Sequence, residues 1–126
     1  MSTPSTYKFT KSHEWVNFLS DNEATIGLTD FAQNSLGDLV FINLPQEGDE
    51  VAVKESCADI ESVKAVSDIY SPVTGVVSEV NEEVLDAPQK VNEDPYGSWL
   101  VKITDISDKV ELMSAEEYDN FCKEEE

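Results

Sequence analysis

Residues Asp59 to Asp68 read Asp-Ile-Glu-Ser-Val-Lys-Ala-Val-Ser-Asp, and the fold follows from how this stretch is read. Before the lysine, Ala58 and Ile60 alternate with Asp59 and Glu61, the period of two that suits a half-buried strand. After it, Val66 to Tyr70 is a second β-favouring run, stopped by Pro72. Paired as a hairpin, the two runs put Lys64 at or beside the tip, with its stem in water and no ion pair forced on it. The turn is unusual, because Val63 and Ala65 stand where tight hairpins use Gly, Asn or Asp. An exposed lysine ordinarily serves solubility. Here all eight basic residues are lysines and Lys64 belongs to no basic patch, so the turn points to recognition by a modifying enzyme that reads its shape.

Outward from the hairpin the pattern is mirrored. A turn at 46–49 and a valine-bearing strand (Val51, Val53) precede it; a turn at Ser71 to Gly75 and a valine-rich strand (Val76, Val77, Val80) follow it. Mirrored halves about Lys64 predict a mainly β fold, a flattened barrel or sandwich of two packed antiparallel sheets. Residues 1–6 read as a polar tail and 7–9 as the start of a first strand. Residues 15–19 and 23–27 read as a hairpin around Ser20-Asp21-Asn22. Thr29 or Asp30 caps a short helix over 30–36 that Gly37 ends. Residues 38–44 read as a strand stopped by Pro45, and 81–98 as an ordered loop. Residues 99–103 read as the last strand, with a polar connection at 104–108. Ser114-Ala-Glu-Glu117 is a capping box opening a C-terminal helix over 114–124.

With 126 residues the chain fits a single domain with one small core. The net charge of −19 disfavours binding to nucleic acid or to an anionic membrane, and favours a monomer that is either simply soluble or steered to basic partners. No apolar run reaches the roughly 18 residues of a membrane span. Met1 to Thr6 shows neither a secretory nor a mitochondrial leader, so the expected compartment is the bacterial cytoplasm, or the mitochondrial matrix if a cleaved leader preceded it. Cys57 and Cys122 have no metal-ligand spacing and read as reduced small hydrophobes, with a long-range disulfide as the alternative. His13 is the lone histidine, and Glu14 beside it would face the other side of a strand, a poor geometry for a catalytic pair. No nucleophile elbow, phosphate loop or dinucleotide fingerprint accompanies it. The reading is therefore a non-catalytic protein with no metal site.

A family resemblance joins these pieces. Glu61-Ser62-Val63-Lys64-Ala65-Val66-Ser67-Asp68 and Ile69-Tyr70-Ser71-Pro72-Val73-Thr74-Gly75 closely resemble the lipoylation segment of the glycine cleavage system H-protein family. Ser12-His13-Glu14-Trp15, Ile26 to Gln33, Leu36 to Phe41, Val91 to Gly97 and Trp99-Leu100 resemble the family's other blocks, in order, over nearly the whole chain. Biotin acceptors resemble Met-Lys-Met at the tip, and lipoyl domains of 2-oxoacid dehydrogenase complexes resemble Asp-Lys-Ala. The serine and valine before Lys64 favour the H-protein pattern.

The resemblance implies a lipoyl/biotinyl-type barrel-sandwich hybrid. It implies a carrier with lipoic acid amide-linked to Lys64, and with Glu61, Ser62, Val63 and Ala65 as the turn read by a lipoate ligase or a lipoyl/octanoyl transferase. The implied partners are the glycine decarboxylase (P-protein), the aminomethyltransferase (T-protein) and dihydrolipoamide dehydrogenase (L-protein), between which the arm shuttles the aminomethyl group and reducing equivalents of glycine. Ser12, Glu14 and Asp68 are expected to line a cleft that shelters the loaded arm and to pair with its cationic amine. The alternatives are a lipoyl donor in a lipoate relay, or an acidic interaction module. Two departures from the family pattern stand out. Tyr96-Gly97-Ser98-Trp99 is about one residue short, and Phe31 replaces a common histidine or tyrosine.

Overall fold

A computed structural model describes residues 6–125; the predicted polar tail thus falls, except for Thr6, outside the described residues. The elements run β1 (Lys8–Phe9), β2 (Glu14–Ser20), β3 (Glu23–Leu28), α1 (Asp30–Leu36), β4 (Leu39–Asn43), β5 (Glu50–Val51) and β6 (Ser56–Ser62). They continue with β7 (Val66–Tyr70), β8 (Val73–Val80), α2 (Glu82–Asp86), α3 (Gln89–Glu93), β9 (Val101–Lys109) and α4 (Ala115–Glu125). A six-stranded antiparallel sheet, in the order β1-β2-β3-β9-β8-β5, packs against a three-stranded antiparallel sheet, β4-β6-β7. The sheets remain separate ladders, so the expected flattened barrel is realised as a sandwich and not as a closed barrel.

The mirrored pattern is realised as two nested hairpins. Glu61 pairs with Val66 and Ser56 with Tyr70 in the small sheet, while Glu50 pairs with Val76 in the large one. Both sets of pairs centre on residues 63–64. The valine run at 51–53 does not continue into β6, because the chain changes sheets at 52–55. Lys54 takes a positive φ of 68° there, and its N–H donates to the Ser71 carbonyl at 3.0 Å while the Ser71 N–H donates to Glu55 at 2.9 Å. The outgoing and returning strands are thus stitched together where each crosses between sheets.

Alternation sets the core. Val73, Gly75 and Val77 of β8 point inward while Thr74, Val76 and Ser78 are half-exposed. One apolar cluster joins Ile60 and Ile69 of the lysine hairpin to Leu39, Val84, Val91 and Leu100; a second holds Val16, Ile26, Val73, Val77, Val101 and Ile103. A third, aromatic cluster of Phe9, Trp15, Tyr96 and Tyr118 seats α4, with Phe9 and Tyr118 stacked at 4.7 Å. The capping box forms as read: the Glu117 N–H donates to Ser114 Oγ at 3.2 Å and the Ser114 N–H to Glu117 Oε1 at 2.9 Å.

Two longer stretches differ from the sequence expectation. Residues 81–98 hold α2 and α3 rather than loop throughout. The Asn81 side chain caps α2 by accepting from the Glu83 N–H at 3.2 Å, and each helix sinks one valine, Val84 or Val91. Five-residue helices are too short to show a period, and their stability comes from that packing. The last strand begins later, at Val101, and runs through the stretch read as a polar connection, pairing with β8 as far as Val73↔Lys109. Its outer half is exposed, so antiparallel pairing there tolerates polar side chains. Asp105, at a positive φ of 54°, lies in the bulge between the Thr74↔Asp108 and Val76↔Thr104 pairs.

Gly75 sits beside that bulge, in strand β8 rather than in the turn its sequence context suggests. A Cβ there would stand 2.5 Å from the Thr104 carbonyl oxygen and 2.6 Å from Ile103 Cγ2. Backbone on one side and a core side chain on the other leave it no room. Gly75→Ala should destabilise the chain by about 1–3 kcal/mol, the usual cost of overpacking, read as a lower urea midpoint with an unchanged m-value.

Candidate functional site

The lysine turn is built by Ser62. Its N–H donates to the Ala65 carbonyl at 2.8 Å, and its hydroxyl oxygen accepts from the N–H groups of Lys64 and Ala65, each at 3.1 Å. No residue of the turn adopts a positive φ, so the turn has no need of Gly, Asn or Asp. That resolves the odd composition: a serine hydroxyl holds the geometry that backbone permissiveness usually supplies. The Val63 N–H donates outward to the Asp38 carbonyl at 3.0 Å, tying the tip to the segment between α1 and β4.

Lys64 is exposed and makes no ion pair among the described residues. Its stem is not wholly in water, which corrects the expectation. It lies across Gly37, where a Cβ would be 3.3 Å from Lys64 Cε and 3.7 Å from Nζ. Gly37 has φ 82° and ends α1, its N–H donating to the Gln33 carbonyl at 2.9 Å. Val63 and Val66 flank the lysine with about two-thirds of each side chain exposed (67% and 68%), while Glu61 and Ala65 are also at the surface. All four turn residues expected beside Lys64 therefore surround it.

At the far end of β7 is a cleft of about 420 Å³ lined by Thr10, Ser12, Glu14, Tyr70 and Glu111, among others, with Lys11 and Lys54 also on its walls. Strand rise places Tyr70 about 20 Å along β7 from the lysine. Glu14 is 2% exposed, and the donors on its carboxylate are all neutral. Ser12 Oγ donates at 2.5 Å and Thr10 Oγ1 at 2.7 Å, both to Oε1, and Tyr70 lines the same cleft. Burial raises the carboxyl above its ordinary value, and these bonds offset only part of that. Asp68 does not line the cleft. It lies on the outward face of β7, where Ser56 Oγ donates to it at 3.3 Å, two residues before Tyr70 on the same face.

The whole arrangement matches known proteins closely. The glycine cleavage H-protein family model matches residues 7–125. The chain belongs to the glycine cleavage H-protein family. A glycine cleavage system H protein of Lachnoclostridium phytofermentans is 63% identical over 93% of this chain and 92% of its own, and one of Vibrio campbellii is 53% identical over 95% and 98%. A crystal structure of a glycine cleavage system H protein from Mycobacterium marinum superposes with a TM-score of 0.91 at 36% identity, covering 96% of this chain and 99% of that one. No described helix is long and apolar enough to cross a membrane.

Phe31 stacks on His13 with ring centroids 4.5 Å apart. His13, at φ 71°, meets the Tyr118 hydroxyl through Nδ1 at 2.7 Å, and that hydroxyl shares a second hydrogen bond of 2.7 Å with Thr29 Oγ1. His13 thus joins α4 to the cap of α1. The 96–99 segment buries Tyr96, whose hydroxyl accepts from the Asp30 N–H at 3.2 Å. The cysteines form no disulfide, and burial pushes the Cys57 thiol up to about 12. What sequence reading missed is the platform beneath the lysine, in particular Asn92, whose side chain ties α3 to the Gly37–Leu39 segment. Its one sequence signal was membership of the 91–97 block.

The raised carboxyl of Glu14 gives a signed pH effect. The folded chain holds this proton more tightly than the unfolded one, so the contribution of Glu14 to stability is present below its ordinary value of 4.5 and is lost as pH rises through the raised one. The stability difference between the wild type and Glu14→Gln should therefore fall as pH is increased from 4.5 towards neutrality, in urea titrations at stepped pH. A carbon-detected NMR titration should place the Glu14 midpoint above 4.5.

Proposed function

We propose that the chain is the lipoyl carrier of glycine cleavage, with lipoic acid joined to Lys64 Nζ by an amide bond. The observation that carries this is an exposed amine with no ion pair among the described residues, at the tip of a serine-built hairpin, in a chain of the H-protein family. In the attachment step the Lys64 amine gives up a proton, its lone pair forms the amide C–N bond, and the leaving group of the activated acyl carbonyl departs. Glu61, Ser62, Val63 and Ala65 present the amine to a lipoate ligase or a lipoyl/octanoyl transferase as a fixed, half-apolar shape. Lipoate bound there supplies the sulfur pair that takes up the one-carbon unit and reducing equivalents of glycine.

The chain's own residues bind, orient and exclude water; the bond-making belongs to the partners. These are a glycine decarboxylase, an aminomethyltransferase and dihydrolipoamide dehydrogenase, met in the cytoplasm. Net charge of −19 favours encounter with basic surfaces on them. Glu14, with Ser12 beside it, is the cleft's recognition group for a cationic amine. A buried carboxylate held only by neutral donors gains from an incoming ammonium what burial took away. Lys11 and Lys54 also line the cleft and temper its attraction for a cation. Asp68 flanks the approach along β7.

Intact-mass and peptide analysis after co-expression with a lipoate ligase and lipoate should show one lipoyl adduct, confined to Lys64 and absent from Lys64→Arg. No adduct under conditions that modify an unrelated lipoyl domain would end the carrier reading. Glu14→Ala should shorten the lifetime of the glycine-loaded carrier by about tenfold, the scale of one charge-assisted hydrogen bond, and Asp68→Ala should shorten it less. Equal lifetimes for the wild type and Glu14→Ala would remove the cleft's role.

A further inference from the structure

We propose that Asn92 is a positioning residue for the modification of Lys64: its amide locks the segment on which the lysine turn rests. This rests on the reading of Lys64 as the acyl acceptor and adds to it a residue remote in sequence that sets where the amine stands.

Three hydrogen bonds leave the one side chain. Asn92 Nδ2 donates to the Gly37 carbonyl and to Gln33 Oε1, both at 2.9 Å, and Oδ1 accepts from the Leu39 N–H at 2.9 Å. The amide therefore grips both flanks of Asp38. The Asp38 carbonyl, held between them, accepts from the Val63 N–H at 3.0 Å, the outward tether of the lysine turn. Gly37, gripped by the same amide, carries the Lys64 stem. Asn92 is itself placed by its neighbour, because Val91 is fully buried in the cluster that contains Leu39, Ile60 and Ile69. The chain of contacts runs from core to Val91, to Asn92, to residues 37–39, and then to Val63 and Lys64.

The chemistry of the amide is specific. Two of its bonds need donors and the third an acceptor, all within one planar group, and no charged side chain supplies both. Asn92→Asp keeps the size and the acceptor but turns an oxygen towards the Gly37 carbonyl. Asn92→Ala removes all three bonds. In either variant residues 37–39 lose their register against α3, and the Lys64 turn samples positions besides the one described. A ligase that reads the turn's shape then meets a carrier that is competent only part of the time. The apparent KM rises by the inverse of that fraction, while kcat, set once the turn is seated, stays put.

The test uses the full chain and a lipoate ligase with lipoate and ATP. Wild type, Asn92→Ala, Asn92→Asp and Ile103→Val are compared; the last truncates the other core cluster and controls for general loss of stability. Readouts are KM and kcat for lipoylation, hydrogen exchange at the Val63 N–H, and acetylation of Lys64 by a small active ester. The expected result is a KM raised about tenfold in both Asn92 variants with kcat within about twofold, faster exchange at Val63, and unchanged acetylation, while Ile103→Val keeps the wild-type KM. A wild-type KM in the Asn92 variants, or a rise matched by Ile103→Val, overturns the proposal and leaves the carrier reading intact. Failure of the wild type itself to be lipoylated removes the carrier reading, and this inference with it.

Discussion

Antiparallel pairing centred on residues 63–64 is the constraint on which the rest of the structure depends. β6 pairs with β7 in one sheet and β5 with β8 in the other, so the chain retraces its path through both layers of the sandwich. Because side chains alternate with a period of two, that shared centre decides which residues face the core in four strands at once; a slip of one residue would expose Ile60 and Ile69 together. The lysine is at the centre of the pairing and therefore at the exposed tip of the hairpin. Exposure of Lys64 and burial of the hairpin's isoleucines are two consequences of one register.

An exposed tip still has to be held. Hairpin tips fray unless something other than the strand ladder fixes them, and here the turn is closed internally by the Ser62 hydroxyl and externally by the Asp38 carbonyl. The external hold explains the glycine at 37. Its positive φ ends α1, and its missing Cβ makes room for the lysine stem, so one residue answers a backbone need and a packing need. At the other end of β7, Glu14 shows the opposite balance. Two neutral hydroxyls hold one of its oxygens, yet loss of water outweighs them and raises the carboxyl above its ordinary value. A rigid presenting turn and an underpaid buried charge suit different tasks, presentation of an amine and reception of a cation, and β7 connects them.

Most of the fold was legible because its signals are local and periodic. The alternation around Lys64, the Thr29 cap with Gly37 closing α1, and the Ser114 capping box each appear where read. The misreadings occurred where local signals are silent. Val84 and Val91 stabilise single-turn helices by burial, which no five-residue pattern reveals. Thr104 to Asp108 is polar and still a strand, because the neighbouring strand supplies the pairing. In the site, Lys64 and its turn were visible as an unusual hairpin composition, and Ser12 and Glu14 do come together in a cleft; Asp68, four residues past the lysine, faces outward instead.

The sequence by itself determined most of the sheet-forming runs, the ends of α1, the start of α4, the large negative charge and the lysine at the midpoint, since each depends on residues adjacent or evenly spaced along the chain. Only the tertiary structure decided that Gly37 lies under the Lys64 stem, that Asn92 grips residues 37–39 across more than fifty positions, and that Glu14 is buried in a cleft with Tyr70. The physical reason is that hydrogen bonds and desolvation act through space, whereas propensity and alternation act along the chain.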